Sequence, residues 1–465
     1  EIRHPKAGVS AHAPPVLPVA AQRGGAVEAE LRPLGGDGQL VGWFRLEGGK
    51  HRGAVGTVEG ETIARLVTTA VDAGVPIVGV LSTSGADVAE GVASLHAWGR
   101  MARALASASG VVPVVLVVIG PAVSGPALLL GLADVVVMTN DAFAYVSGPD
   151  AVARFTGVAS TNESLGGASM HALRSGVASL LAEDEDEALA LAFDVLSFLP
   201  PNNATPPPTF RCDDPVDRPS RRAADAVPAS STASYDVRTV IDDLCDDGWY
   251  LELKERHAPN VVVALGRIDG HPVGFVANQP SQLAGTLDIE GSQKAARFVQ
   301  WCDAFGLPLV SLVDTPGFQP GKDIEWRGMI RHGAQLVHAY AAASVPRICV
   351  ILRKAYGGAY IVMDCKTMGN DLCIAWPNAE IAVMGPAQAI QVLHGRRLAE
   401  GSEERLALEA DYAERFCTPE IAASRGYVDS VVDPLTTRSV LASALGALAH
   451  KRDHSPRRRH SNGPL

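Results

Sequence analysis

Two glycine-containing turns, each placed between an apolar run and a helix-like segment, are the residues of this chain best suited to chemistry. The first lies in GPAVSGPALLLGLAD (120–134) and the second in KAYGGAYIVMDCK (354–366). A strand that enters a helix through such a turn leaves backbone N–H groups unpaired at the helix start. With the helix dipole behind them, these donors can stabilise an oxygen that gains negative charge during a reaction. The pattern indicates two oxyanion holes; for either turn alone, tight packing of small residues is the alternative explanation.

The two turns occupy equivalent places in a pattern that the chain contains twice. In each half a helix end and a proline precede an apolar strand and a glycine-containing loop, and a second strand then leads into the turn. Three pairs of landmarks keep this spacing: Pro76 and Pro308 are 232 residues apart, Pro113 and Pro346 are 233 apart, and Gly125 and Gly358 are 233 apart. A further strand is predicted after each turn, at 146–152 and 383–390. A register kept over about a hundred residues indicates duplication.

The elements that must position the turns are β-rich apolar runs alternating with helical segments. This alternation predicts an α/β fold with largely buried strands. Residues 199–234 contain eight prolines, which favours an extended linker between two domains. The predicted organisation is an N-terminal extension (1–37), a first domain (38–198), the linker (199–234), a second domain (235–445) and a basic tail (446–465).

Composition limits what the chain can bind. A net charge of −11 argues against a nucleic-acid partner. The seven cysteines include no C-x-x-C pair, so we expect no metal site and a reducing, cytoplasmic location. No apolar stretch reaches the about 18 residues of a membrane span, and no signal peptide is visible. We therefore expect a globular cytoplasmic protein without a membrane partner.

Five stretches carry a specific family resemblance. They are NQPSQLAGTLDI (278–289), KAARFVQWCDAFGLPLVSLVDTPGFQPG (294–321), IRHGAQLVHAY (330–340), RKAYGGAYIVM (353–363) and AWPNAEIAVMG (375–385). With them, residues from about 38 to 440 resemble the carboxyltransferase β subunit of biotin-dependent acyl-CoA carboxylases, the propionyl-CoA and acetyl-CoA group. The resemblance implies two tandem crotonase-like (ClpP/crotonase) domains, in agreement with the duplication.

The activity implied by the resemblance is transfer of a carboxyl group from carboxybiotin to the α-carbon of a short-chain acyl-CoA. One oxyanion hole would hold the thioester carbonyl as an enolate forms, and the other would hold the ureido oxygen of biotin. Biotin itself would take the α-proton, so no protein base is implied. The chain lacks a Met-Lys-Met biotinylation site and an ATP-grasp loop. The expected partner is therefore a biotin carboxylase α subunit with its carrier domain. The family also implies a homo-hexamer, with active sites between the N-terminal domain of one subunit and the C-terminal domain of another.

The resemblance assigns roles to particular positions. Gly358 and Ala359 would form the biotin-side hole, and Gly125 with Pro126 would form the thioester-side hole. The expected substrate-binding residues are Gly357, Tyr360, Ile361, Arg52 and Gly53. Ile361 falls at the family position associated with acyl-chain choice, and an apolar residue there resembles members that accept acetyl and propionyl groups. An ordinary core isoleucine is the alternative. Lys50, His51 and Arg52 could face the CoA phosphates, unless they are merely solvated loop charges.

Pro126 is the main departure from this pattern, because the family has alanine there and proline has no N–H. At the first position of a helix proline is structurally comfortable. Catalytically, the loss of one oxyanion donor costs about 10²–10³ in rate. We therefore predict a slow enzyme or one that has recruited another donor, with the Ser124 hydroxyl as the nearest candidate. Two further departures lie in the same half: Asp87 replaces a family arginine, and Arg52 replaces a family glycine.

Three other functions stay open from the sequence. The departures in the N-terminal half would allow a non-catalytic structural paralogue. A biotin-dependent acyl-CoA decarboxylase subunit would use the same site in reverse. A ClpP-like serine peptidase with Ser124 as nucleophile is the third, although no His/Asp pair for it is recognisable in the sequence.

Overall fold

Two mixed β-sheets, one in each half of the chain, carry the turns described above. The computed structural model describes residues 16–19, 25–34, 38–49, 51–395, 398–399, 401–451 and 462–464. It divides into two compact units. The first runs to Pro206 and includes Lys254–His257, and the second comprises Pro207–Leu253 and the described residues from Ala258 onward.

The first unit is built on an eight-stranded sheet. Its strands are β1 (Leu17–Pro18), β2 (Val27–Leu34), β3 (Gln39–Leu46), β4 (Ile77–Thr83), β5 (Val114–Val123), β6 (Val135–Thr139), β7 (Phe143–Tyr145) and β8 (Leu180–Ala182). Its α-helices are α1 (Thr57–Ala73), α2 (Val92–Ala108), α3 (Pro149–Thr156), α4 (Asn162–Gly166), α5 (Ala168–Met170) and α6 (Glu185–Phe198). Short 3-10 helices span Val88–Glu90 and Gly125–Leu132, and a π-helix spans His171–Ser175.

The order of strands in this sheet is β1-β2-β3-β4-β5-β6-β8, and β7 pairs with the end of β5. The pairs β1–β2 and β2–β3 are antiparallel, and the others are parallel. The first half of β5 is a run of buried valine and leucine, as expected for a central strand covered on both faces. Beyond the pairing of Leu81 with Val118 the register shifts, and Thr83 then pairs with Ala122. This irregularity directs the end of β5 toward β7 and the turn that follows.

The second unit repeats the arrangement with another eight-stranded sheet. Its strands are β9 (Tyr250–Leu253), β10 (Val261–Ile268), β11 (His271–Asn278), β12 (Leu309–Thr315), β13 (Arg347–Tyr356), β14 (Leu372–Ala375), β15 (Glu380–Ala382) and β16 (Ser430–Val431). Its α-helices are α7 (Arg221–Ala226), α8 (Arg238–Leu244), α9 (Ile289–Ala304), α10 (Lys322–Trp326), α11 (Met329–Ala342), α12 (Gly357–Val362), α13 (Pro386–His394), α14 (Glu403–Phe416), α15 (Pro419–Ser424) and α16 (Thr437–Leu448). The 3-10 helices are Asp246–Gly248, Leu283–Gly285, Lys366–Met368 and Pro434–Thr436.

The register of the second sheet reproduces that of the first. The order is β16-β14-β13-β12-β11-β10-β9, with β15 paired to the end of β13. The same irregularity occurs, since Val313 pairs with Ile351 and the next pair is Thr315 with Ala355. The α/β class and the duplication predicted from the sequence are therefore confirmed.

Two sequence predictions about local structure are wrong. The segments 146–152 and 383–390 are not strands: each follows a three-residue strand, β7 or β15, and enters a helix, α3 or α13. Both helices begin with a proline after a glycine, a position where the fixed φ of proline favours a helix. The expected linker 199–234 is not uniformly extended, because it contains α7 and Ala223 is fully buried in the core of the second unit. The other domain boundaries stay predictions.

The cysteines and helices carry two further properties. All seven cysteines are free thiols, and six of them are buried. Among the helices of the described residues, none is both long enough and apolar enough to cross a bilayer. The basic tail predicted at 446–465 lies mostly outside the described residues, as does most of the extension 1–37.

Candidate active site

The second turn lies where β13 passes directly into α12. Gly357 has a φ of 59°, a left-handed conformation that a side chain disfavours. A β-carbon added there would also lie 3.0 Å from the carbonyl oxygen of Val383. Gly358 is exposed, whereas the methyl group of Ala359 is fully buried. The turn thus presents backbone rather than side chain to the surface of this unit.

The amides at this turn are free to donate. The first N–H groups of an α-helix have no partner within the helix, and no other described residue accepts a hydrogen bond from Gly358 or Ala359. Two adjacent donors therefore stand at the start of α12, as the sequence predicted. An oxygen with developing negative charge is the chemical group that such a pair stabilises best.

A buried cluster of charges fixes the strands that lead to this turn. Arg353 donates from Nε to Asp314 at 2.9 Å, and the Lys354 amide donates to the same carboxylate at 3.2 Å. Arg353 and Asp314 are almost fully buried. Burial raises the pKa of the Asp314 carboxyl and lowers the pKa of the Lys354 ammonium group. Arg353 also donates to the carbonyl oxygens of Ser230 and Ala233, at 2.6 and 2.8 Å. The cluster therefore joins β12 and β13 to the segment before α8.

A second buried ion pair lies on the other side of α12. Asp364, which follows the helix with a φ of 66°, is hydrogen-bonded to Arg347 at the start of β13. Arg347 also donates to the carbonyl oxygen of Gly369 at 2.6 Å. Burial raises the pKa of Asp364 to about 7, against the opposing effect of Arg347. None of these charged residues was predicted as part of the site from the sequence; the only signal for them is a charge inside an otherwise apolar run.

Two neighbouring side chains of α12 differ in exposure. Ile361 is 40% exposed, so the alternative of an ordinary core isoleucine is wrong and the side chain is available to a ligand. Tyr360 was expected to bind substrate, but it is only 7% exposed and its hydroxyl is buried. On a helix, consecutive side chains diverge by roughly 100°, which is why one residue faces out and its neighbour faces in. The Tyr360 side chain is therefore a packing residue, and this part of the prediction is wrong.

The first turn has the same backbone course with different residues. Ser124 follows β5 with φ 64° and ψ −148°, a region that glycine occupies and other residues avoid. Its N–H donates to the carbonyl oxygen of Tyr145 at 2.9 Å, and its carbonyl accepts from Ala127 at 3.1 Å. Pro126 is buried and has no N–H. Of the two amides expected here, only that of Gly125 is left.

The loop that contains Arg52 and Gly53 packs against residues 82–85, and this segment in turn packs against the first turn. A β-carbon on Gly53 would meet the Ser82 carbonyl oxygen at 2.1 Å, so only glycine fits there. Arg52 is exposed and accepts a hydrogen bond from the Ser84 amide at 3.1 Å through its carbonyl. Gly85, which follows Ser84 in the chain, lies against Ser124, because a β-carbon on Gly85 would be 3.1 Å from the β-carbon of Ser124. The structure therefore places the predicted Arg52 loop and the predicted turn in one region. Lys50 lies outside the described residues.

A histidine–aspartate pair that the sequence did not reveal is present in the same region. His51 Nδ1 lies 2.7 Å from a carboxylate oxygen of Asp87, and this hydrogen bond lowers the pKa of Asp87. The partners are far apart in the sequence, so only the folded chain brings them together. No hydrogen bond joins the Ser124 hydroxyl to His51 among the described residues. A serine peptidase triad is therefore not assembled at this turn.

Comparisons with known proteins agree with this geometry. The carboxyl transferase domain model matches residues 36–463. The chain is 43% identical over 460 residues to the propionyl-CoA carboxylase beta chain of Saccharopolyspora erythraea, covering 93% of this chain and 84% of that protein. It is 40% identical over 430 residues to the methylmalonyl-CoA decarboxylase subunit alpha of Veillonella parvula, covering 92% of this chain and 84% of that protein.

A solved structure extends the similarity to the whole fold. The transcarboxylase 12S crystal structure, described as a hexamer with hydrolysed methylmalonyl-coenzyme A bound, aligns with a TM-score of 0.91 at 39% identity, covering 95% of this chain and 85% of that one. These similarities confirm the family resemblance and the two crotonase-like domains, and they show that the peptidase alternative is wrong. The chain belongs to the carboxyl transferase family, as a biotin-dependent acyl-CoA carboxyltransferase of the propionyl-CoA carboxylase beta-subunit type.

Proposed function

We propose that the chain moves a carboxyl group from carboxybiotin, carried by a partner protein, to the α-carbon of acetyl-CoA or propionyl-CoA. The observation that supports this most strongly is the pair of turns with the same backbone course. In each, a central parallel strand ends in a left-handed residue, Ser124 or Gly357, and an amide without a partner follows it. A reaction that develops negative charge on two oxygens explains why both turns persist.

The second turn fits the biotin side. Gly358 is exposed and offers its amide beside that of Ala359, and two adjacent donors suit the single oxygen of a ureido group. When bound, carboxybiotin supplies the carboxyl group that is transferred. The residues of this chain hold the ureido oxygen and stabilise the charge that collects on it.

The first turn fits the acyl side. The Gly125 amide would hold the thioester carbonyl oxygen, which becomes more negative as the α-carbon loses its proton. Arg52 places an exposed guanidinium group in the same region, where it can contact a phosphate of CoA. Gly53 is required for the close approach of that loop to Ser82.

Ile361 falls at the family position associated with acyl-chain choice, so we propose that the acyl group also contacts this side chain. This side chain is exposed at the biotin-side turn, and an apolar surface there favours a short unbranched acyl tail over a charged one. The expected substrates are therefore acetyl-CoA and propionyl-CoA.

The proposed partner is a biotin carboxylase α subunit that also provides the biotin carrier, because the similar Saccharopolyspora protein is a beta chain. A homo-hexamer is proposed because the similar transcarboxylase core is described as one. A cytoplasmic location is supported by the seven free cysteines. We propose no nucleic-acid partner, given the net charge of −11.

The test is incorporation of ¹⁴C-bicarbonate into acid-stable product by the chain together with a biotinylated carboxylase partner and ATP. We expect label in the products of acetyl-CoA and propionyl-CoA, and less in that of butyryl-CoA. Omission of the partner is the control and should abolish the signal. A chain that assembles with its partner and labels none of the three acyl-CoAs would be a non-catalytic paralogue, and the proposal would fail.

A decarboxylase subunit is the second candidate, favoured by the similarity to the Veillonella protein. The same turns would then hold a malonyl-type thioester and the biotin that receives its carboxyl group. Release of CO₂ from methylmalonyl-CoA in the presence of biotin, without ATP-dependent carboxylation of propionyl-CoA, would favour this direction.

A further inference from the structure

The first turn has one amide fewer than the second, yet an unused N–H donor lies directly against it. That donor is the indole of Trp98 on α2. A β-carbon built on Gly125 would lie 2.8 Å from Cε2, 2.9 Å from Nε1 and 3.1 Å from Cζ2 of Trp98, so the nitrogen-bearing side of the indole fills the space that a Gly125 side chain would occupy. Trp98 is half-buried, and among the described residues no hydrogen bond from its Nε1 is present.

The second unit shows what normally fills this space. A β-carbon on Gly358 would lie 3.5 Å from the ring of Phe318. Phe318 belongs to the loop after β12, where it forms an isolated bridge with Leu287. In the first unit the corresponding bridge joins Val55 to Ala86. The loop position that carries an aromatic ring in the second unit therefore carries only a methyl group in the first.

The helices show the opposite exchange. Buried residues recur at the same spacing in the two helices: Ser94, Ala97, Met101 and Leu105 in α2 correspond to Met329, His332, Leu336 and Tyr340 in α11. In this alignment Trp98 corresponds to Gly333, whose own β-carbon would lie 3.5 Å from Phe318. The aromatic ring beside the turn is therefore supplied by the loop in the second unit and by the helix in the first unit.

The exchange also changed the chemistry of the ring. Phenylalanine has no hydrogen-bond donor, and the second turn does not need one because it keeps the Ala359 amide. Tryptophan has an N–H, and it occurs beside the turn in which Pro126 has none. A half-buried indole N–H therefore lies beside the residue that carries the single amide of the first turn.

We propose that the Trp98 indole N–H is the second donor of the thioester-side oxyanion hole and takes the place of the amide that Pro126 lacks. This inference rests on the proposed function. The hydrogen bond forms to the thioester oxygen and strengthens as the electrons of the departing C–H bond move onto that oxygen. No covalent bond to Trp98 is made or broken.

Trp98→Phe tests this with the ring retained and the donor removed. We expect a nitronate analogue of propionyl-CoA, which carries negative charge where the enolate oxygen forms, to bind about 10²–10³-fold more weakly by calorimetry. CoA alone should bind as before. Pro126→Ala added to Trp98→Phe should recover most of the lost affinity, because it restores an amide. Trp43→Phe, at a buried tryptophan on β3 of the same unit, is the matched control and should change nothing.

The outcomes separate this proposal from the proposed function. Unchanged nitronate binding by Trp98→Phe, or a loss that Pro126→Ala does not restore, would overturn the role of Trp98. A loss confined to Ser124→Ala would assign the donor to the hydroxyl and likewise overturn it. Because the binding measurement needs neither partner nor turnover, a negative ¹⁴C assay would reject the carboxylation function without deciding the role of Trp98.

Discussion

The two turns have similar backbone conformations, but the residues in them and around them differ. Gly357 and Ser124 have φ values of 59° and 64°, and Arg52 and Ala284, one residue before equivalent close-packed glycines, have 53° and 54°. These conformations are unusual for residues other than glycine. The two units therefore share the same local backbone conformation at these positions, even where the residue is not glycine.

The supporting charges are present in only one unit. The second unit has the buried pairs Arg353–Asp314 and Arg347–Asp364 beside its turn. At the equivalent places the first unit has no charge, and its residues there are Gly120, Ser82, Val114 and Gly131. The first turn is therefore formed without a buried ion pair at these places, and the two ion pairs are particular to the second unit.

The largest predicted effect is the removal of one partner of a buried ion pair. Asp314→Ala leaves the Arg353 guanidinium buried and unpaired, which should lower the free energy of unfolding by about 3–5 kcal/mol. Ser82→Ala, at the equivalent place in the first unit, should cost less than about 1 kcal/mol. Hydrogen exchange followed by mass spectrometry would locate the loss. Equal protection of β12–β13 peptides in Asp314→Ala and the unmodified chain would contradict the proposed importance of the pair.

A smaller effect is predicted on substrate choice at the exposed side chains of the two turns. Ile361→Asp places a carboxylate beside an apolar acyl tail, and we expect the ratio of propionyl-CoA to acetyl-CoA turnover to change by about 10–200-fold. Leu128→Asp, at the corresponding exposed place in the first unit, shows whether a carboxylate at the other turn has the same effect. Ratios of kcat/KM from competition assays measure the difference. If both variants kept the original ratio, Ile361 would not contact the acyl group.

The units should also differ in how pH affects stability. The pKa of Asp364 is about 7, raised by burial from an ordinary value of 3.8. Between these values the folded state retains a proton that the unfolded state has lost, so its contribution to stability is full below about pH 4 and disappears as pH rises through 7. Asp364→Asn should flatten this slope in thermal denaturation between pH 4 and pH 8. A slope that survives the substitution would have to come from other groups.

The smallest effect concerns strain at the first turn. Ser124 has a conformation that glycine adopts freely, so Ser124→Gly should raise the free energy of unfolding by about 1 kcal/mol after the entropic cost of glycine. Gly357→Ser, the converse change in the second unit, should lower it, because the new β-carbon would approach the Val383 carbonyl. Chemical denaturation of the two variants measures both signs. Destabilisation by Ser124→Gly would show that the backbone at this position is not strained.

The sequence predicted those features that depend on local pattern. The duplication, the two turns and the exposed amides could be read because proline, glycine and apolar runs act over a few residues. The apolar residues of segments 146–152 and 383–390 predict strands, but the Gly-Pro pair in each segment instead begins a helix, α3 or α13. The helix α7 was not predicted, because the prolines on either side of it favour an extended segment.

The features that the sequence did not predict depend on contacts between distant residues. His51 and Asp87, and likewise Arg353 and Asp314, meet only because neighbouring parallel strands and their loops bring them together. Nothing in the spacing of Trp98 places its indole against Gly125. The comparison of the two units supplies this information, because each serves as a reference for the other.

The most direct test of the oxyanion-hole assignment introduces the proline of the first turn into the second turn. Ala359→Pro gives the second turn the proline that the first turn has at Pro126, and it removes one amide in a position where the fold accepts proline. With the biotinylated partner, turnover of propionyl-CoA should fall by about 10²–10³, or 3–4 kcal/mol. Assembly and the melting temperature should change little, and Ala359→Gly, which keeps the amide, should retain most of the turnover. An Ala359→Pro enzyme that carboxylates propionyl-CoA as fast as the unmodified chain would contradict the assignment of this turn as an oxyanion hole.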